Sequence, residues 1–248
     1  MDGRIVWHDL MTPDAARARD FYGGLFGWSV KETDMPAAEG KYWVISSGSD
    51  AIGGFVPFTQ HPPHWIGYVA VDDVDATVKR ALAAGGTAPV PGMDVPGIGR
   101  FAVLLDPTGA CIQAWRSKDG DADRPPRPGT FCWDQLLTHD PDACVAFYTK
   151  VFPWTTKTLE AGGQSYTVFA CGDGREVAGV LPMPPDAGAP PHWLSYVAVE
   201  GVDAATAKVA KLGGRTWCPP TDLAGIGRFS VNADAQGAMF ALFRAAHA

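Results

Sequence analysis

His64, Tyr68 and Arg100 are side chains of this 248-residue sequence whose types and spacing could do chemistry on a small molecule. His64 and Tyr68 stand four residues apart in PPHWIGYVA, so a strand would put them on one face together with Ile66. An imidazole there offers a titratable acid or base; its alternative is a strand-start histidine bonded to nearby backbone. Tyr68 offers a hydroxyl to a ligand oxygen, or is a buried tyrosine satisfied by the protein itself. The same residues return as His192 and Tyr196, with Leu194 in the place of Ile66. Arg100 and Arg228 lie in a repeated GIGRF. A guanidinium fork there could grip a carboxylate or phosphate; a structural ion pair or packing on an aromatic ring is the competing role. The Gly-x-Gly beside each arginine precedes a strand and opens no helix, so it is not a dinucleotide fingerprint. Local spacing assembles no Ser-His-Asp or Cys-His set. The five cysteines (Cys111, Cys132, Cys144, Cys171, Cys218) are scattered and never in C-x-x-C spacing, which reads as reduced thiols, without a disulfide frame or a zinc site.

The elements that position these residues are repeated. PPHWIGYVAVDDVDA (62–76) returns as PPHWLSYVAVEGVDA (190–204), a shift of 128. Trp7, Leu10, Asp14, Phe21, Tyr22 and Phe26 return as Trp133, Leu136, Asp140, Phe147, Tyr148 and Phe152, a shift of 126. A fainter repeat inside the first half relates Asp14 to Asp73 and Gly27 to Gly86, a shift of 59. The first strand is expected near residues 4–12. Asp14 then caps a helix with Ala18, Phe21, Tyr22 and Leu25 on one face, ended by Gly27. Strands follow near 28–31, 41–46 and 51–58. The second unit has a strand near 64–71 and a helix capped by Asp73 with Val74, Val78, Ala81 and Leu82 on one face. Its remaining strands lie near 87–90, 100–105 and 111–116, and Asp106-Pro107-Thr108-Gly109 turns between the last two. The expected domains are 1–117 and 130–248, joined by the charged, Pro-rich linker 118–129.

Composition excludes some classes. The net charge is −7 without a block of Lys or Arg, which argues against nucleic-acid binding. No apolar run reaches the ~18 residues of a membrane span. The first residues lack a signal-peptide apolar region, so a cytoplasmic location is expected.

Four strand-helix-three-strand (βαβββ) modules, with FYGGLFGW (21–28) and DPTGACIQ (106–113), resemble the vicinal oxygen chelate superfamily. It includes glyoxalase I, bleomycin- and fosfomycin-resistance proteins and extradiol dioxygenases. Two-domain glyoxalase-like bacterial proteins are the nearest likeness. The resemblance implies an α+β fold of two tandem domains, each with two modules forming a cupped mixed sheet and helices outside. It also implies a divalent metal held by His, Gln or Glu on each module's first strand and by Glu on the last strand. Counted back seven residues from the capping Asp, the first-strand positions here are Trp7, Ile66, Trp133 and Leu194. The last-strand position is Gln113 in the first domain and Ala241 in the second. The first modules offer only Gly53-Gly54 and Ala178-Gly179.

Trp, Ile, Leu and Ala cannot ligate a metal, and Gln113 alone cannot hold one. The expectation is therefore a protein with a degenerate metal site and no cofactor. It would sequester or process a planar or hydrophobic, oxygen-bearing metabolite or antibiotic. A metal-dependent lyase or dioxygenase with relocated ligands, which a one-residue register change bringing His8 or Asp9 inward would favour, and a non-catalytic interaction protein are the alternatives. The first domain is the expected binding site, because its last strand has Gln113 and Trp115 where the second domain has Ala241 and Phe243. Trp7, His64, Tyr68 and Arg100 complete that expected site, with Trp133, His192, Tyr196 and Arg228 as counterparts. With four modules in one chain, a monomer is expected, a homodimer being the alternative.

Overall fold

In a computed structural model that describes residues 3–34, 40–161, 164–184 and 187–246, each of the four repeats folds as strand, helix and three strands. The first module is β1 (Ile5–Thr12), α1 (Ala15–Phe26), β2 (Ser29–Asp34), β3 (Lys41–Ser47) and β4 (Asp50–Pro57). The second is β5 (His64–Ala70), α2 (Val74–Ala83), β6 (Thr87–Val95), β7 (Gly99–Leu105) and β8 (Cys111–Ser117). The third is β9 (Phe131–Thr138), α3 (Pro141–Val151), β10 (Thr155–Ala161), β11 (Gln164–Ala170) and β12 (Glu176–Pro182). The fourth is β13 (His192–Ala198), α4 (Val202–Lys211), β14 (Arg215–Leu223), β15 (Gly227–Ala233) and β16 (Met239–Ala245).

The helices begin where the sequence supplies a cap. The Asp14 carboxylate accepts from the Arg17 N–H at 2.9 Å, and Asp73 and Asp140 accept likewise from Ala76 and Ala143. Gly27 closes α1 in the left-handed region, at φ 74°. At α4 the cap is Gly201, with no side-chain hydrogen bond. One face departs from expectation. The buried stripe of α2 is Val74, Thr77 and Ala81. Leu82 sits one residue past that stripe, about 100° around the helix, and is 52% exposed.

Each tandem half makes a mixed eight-stranded sheet with its helices outside, in the orders β2-β3-β4-β1-β5-β8-β7-β6 and β10-β11-β12-β9-β13-β16-β15-β14. In the first sheet β1 runs parallel to β4 and β5 to β8, while the outer pairs are antiparallel. Compactness groups the chain differently from the sheets. One unit comprises Met1–Trp7, Ile66–Arg124 and Asp134–Trp193; the other His8–Trp65, Pro125–Trp133 and Leu194–Ala248. In the first unit Val69, Leu104 and Ile112 share a core with Phe147, Tyr148 and Phe169. In the second, Leu10, Tyr22 and Phe55 share one with Val209, Phe240 and Leu242. Each such side chain contributes about 1.5–3 kcal/mol through burial. Among the described residues no helix is long and apolar enough to cross a membrane.

Candidate functional site

Strand alternation places the first candidate residues. On β8, Ile112 and Ala114 are buried in the core of the first unit, so Cys111, Gln113 and Trp115 turn to the opposite face. On β5, Val69 joins that core and Tyr68 takes the other side. Parallel register sets Tyr68 opposite Gln113, and antiparallel β7 sets Val103 opposite Gln113 and Phe101 opposite Trp115. The Tyr68 and Trp115 rings meet edge-on with centroids 6.0 Å apart. Ile66 is buried, and Trp7 is half-buried on β1.

Gln113 is 4% exposed, and its Oε1 has no hydrogen-bond partner. Buried polar atoms are paired as a rule, because an unpaired one costs the full desolvation of the group. Beside it, burial pushes the Cys111 thiol up to about 12, with the Asp106 charge adding to the effect, so this sulfur is no nucleophile at neutral pH. Trp115 Nε1 donates to Asp121 Oδ1 at 3.1 Å. Burial raises the Asp121 carboxyl above its ordinary value, and the indole hydrogen bond partly offsets this.

Two further polar pairs are absent from the sequence reading. In the second unit the Tyr42 hydroxyl donates to buried Asp9 at 2.6 Å. In the first unit Tyr166 donates to Gln135 Oε1 at 2.5 Å. Both tyrosines cross a glycine: a Cβ on Gly54 would overlap the Tyr42 hydroxyl, and one on Gly179 the Tyr166 hydroxyl. The signal was present, since Tyr42 and Tyr166 precede these glycines by 12 and 13 residues, but nothing local to either tyrosine reveals its partner.

The arginines take the structural role. Arg100 bonds Asp94 and Asp75 at 2.9 and 2.8 Å. Arg228 bonds Asp203 through two nitrogens and Asp222 through a third, all at 2.8 Å. The expected grip of Arg100 on a ligand is therefore replaced by ion pairs with its own chain. The histidines also bond to backbone: Nδ1 of His64 lies 2.8 Å from the Pro62 carbonyl, and Nδ1 of His192 the same distance from Pro190. A carbonyl only accepts, so His64 carries its proton on Nδ1 and a lone pair on Nε2. Burial lowers the His64 pKa below its ordinary 6.5, against the opposing Pro62 hydrogen bond. Below pH 6.5 the unfolded chain then binds a proton that the folded chain refuses. Stability should fall as pH drops through 6.5 toward the lowered value, and His64→Gln should flatten this part of the profile in urea titrations at stepped pH. An unchanged slope would contradict the assignment. In the second sheet Tyr196 is opposite Ala241 and edge-on to Phe243, 6.5 Å between centroids. Trp133 is half-buried on β9.

The metal of the resembling enzymes does not fit these residues. Its positions hold Trp7, Ile66 and Gln113, and tyrosine hydroxyls occupy the space a ligand side chain would need at Gly54 and Gly179. Among the described residues, no three His, Cys, Asp or Glu side chains group as a metal site.

Comparison with known proteins agrees with the fold and the repeat. The family described as Glyoxalase-like domain matches residues 5–113, and the Glyoxalase/Bleomycin resistance protein/Dioxygenase superfamily matches residues 133–242. The chain is 38% identical to "Putative glyoxylase CFP32" of Mycobacterium tuberculosis, covering 98% of this chain and 95% of that protein. It is 34% identical to "Anthracycline biosynthesis protein DnrV" of Streptomyces peucetius, covering 89% and 86%. Among solved structures, the Mn(II)-bound glyoxalase from Novosphingobium aromaticivorans superposes with TM-score 0.65 at 16% identity, covering 98% of this chain and 81% of that one. The 2,3-dioxygenase LapB from Pseudomonas sp. KL28 superposes with TM-score 0.67 at 13% identity, covering 98% and 93%. Two matched domains, the four-module topology and full-length relatives establish that this chain belongs to the glyoxalase/bleomycin resistance/dioxygenase group, the vicinal oxygen chelate superfamily, as a protein of two tandem glyoxalase-like domains.

Proposed function

We propose that the face carrying Trp7, Ile66, Tyr68, Gln113 and Trp115 binds a flat, largely apolar small molecule directly, without a divalent metal, and sequesters or processes it. The observation that carries this reading is Gln113. It stands where the resembling enzymes place a metal-binding Glu, and its buried Oε1 lacks a partner. Aromatic and aliphatic side chains surround it, the usual lining of a small-molecule site. A relative named for anthracycline biosynthesis is in keeping with a flat, oxygen-bearing ligand. The second domain, with Ala241 in the place of Gln113, has no such amide and is read as structural or of different specificity.

Trp7→Ala tests the location. Truncating an aromatic hot spot costs ~2 kcal/mol or more, so affinity for a hit from a screen of flat aromatic metabolites should fall roughly thirtyfold. Trp133→Ala should leave it within about twofold, on the premise that its face is not the working one. Calorimetry on both folded variants reads the difference; loss of binding in Trp133→Ala alone would move the site to the other domain.

A further inference from the structure

We propose that the ligand of this face is a hydrogen-bond donor, a phenol, enol or N–H heterocycle, recognised jointly by Gln113 and by Asp121 of the linker. The proposal rests on the small-molecule reading above and names its chemical class.

Both groups present acceptors. Gln113 Oε1 is buried and unpartnered on the face shared with Trp115. An amide oxygen can take up only a donor. Asp121 is the one residue between 118 and 128 that is not exposed. Its backbone is brought back to β8 where Ser117 Oγ donates to the Gly120 carbonyl at 3.1 Å, and its Oδ1 is held by the Trp115 indole. Its other oxygen receives no hydrogen bond from the described residues. A carboxylate is acceptor-only when ionised, so Asp121 can meet a ligand only where the ligand brings a donor. Arg100 shares the parity of the core residues Ala102 and Leu104 and bonds Asp75 and Asp94, so it sits on the opposite side of the sheet from this face. An anionic ligand would meet the Asp121 carboxylate there, whereas a flat hydroxyl- or N–H-bearing ring would stack along Tyr68 and Trp115 and satisfy the orphan oxygen of Gln113. The linker thereby becomes part of the binding face as well as a tether.

Three probes on one ring system separate these cases: 2-naphthol donates, 2-methoxynaphthalene only accepts, and 2-naphthoate is an anion. Calorimetry on the full chain should find 2-naphthol bound about tenfold or more tightly than its methyl ether, with naphthoate weakest. Gln113→Leu and Asp121→Ala should each narrow the gap between naphthol and ether by weakening naphthol more than the ether. A crystal of the naphthol complex should place its oxygen within hydrogen-bond distance of Gln113 Oε1. Equal affinity for naphthol and ether, with Trp7→Ala weakening both, would overturn the donor assignment and leave the small-molecule site standing. An ordered water on Gln113 that persists beneath bound naphthol would overturn it as well. Failure of all three probes to bind would remove the small-molecule reading and this inference together.

Discussion

Asp106→Ala should destabilise the protein by about 3–5 kcal/mol, the scale of breaking a buried charged network. Asp106 is 4% exposed in the turn between β7 and β8. Its Oδ1 accepts from the Thr108 N–H and hydroxyl, both at 2.8 Å, and from the Ala110 N–H at 3.0 Å. Its Oδ2 accepts from the Tyr148 hydroxyl at 3.0 Å and from Cys144 Sγ at 3.4 Å. Tyr148 in turn accepts from Trp193 Nε1 at 3.0 Å. One carboxylate thus closes a tight turn and anchors the deepest aromatic cluster of its unit. Removing it leaves backbone and phenol donors buried and unpaired, at about 1–3 kcal/mol each. Urea denaturation reads the loss, with exposed Asp119→Ala as a control that should change stability by less than about 0.5 kcal/mol. A loss below about 1 kcal/mol for Asp106→Ala would mean that the network is not what holds this turn to the core.

Gln113→Leu should do the opposite to stability and the same to function. Leu is close to Gln in size and carries no polar atom. Relieving an unpaired buried acceptor should raise stability by about 1 kcal/mol or more, shifting the thermal midpoint up by about 2–4 °C for a chain of this size. The same substitution should weaken 2-naphthol by about tenfold or more. Gain of stability with loss of binding is the mark of a side chain kept for its ligand. If Gln113→Leu lowered stability by more than about 1 kcal/mol, the amide would be satisfied within the fold and its role would be structural.

Much of the architecture was legible because repetition multiplies weak signals. Asp14, Asp73 and Asp140 each cap a helix as read, and the DPTG turn falls where its residue types demand. Period-two alternation grouped Tyr68 with Ile66 and His64, but its neighbours across the sheet, Gln113 and Trp115, come only from strand register. What stayed illegible was the identity of partners far along the chain. The structural ion pair read as one role of Arg100 is the one that forms, but its partner Asp75, 25 residues away, is not legible along the chain. Tyr42 reaches Asp9 across 33 residues only because Gly54 leaves room. Asp121 looks like one more linker charge until Trp115 turns its indole toward it. The grouping of the second module's core with the third is likewise invisible to a pattern that runs along the chain.

The central claim is that this face binds its ligand with no divalent ion. The direct measurement is calorimetric titration of 2-naphthol into EDTA-treated protein, verified metal-free by elemental analysis, repeated with a stoichiometric excess of Mn(II), Ni(II) or Zn(II). Trp7, Ile66 and Gln113 supply no competent ligand set, so affinity should be the same within about twofold in all four titrations, and the metals should leave the melting temperature unchanged. Binding that appears only after one metal is added, together with a rise in melting temperature and one ion retained per domain after dialysis, would contradict the account.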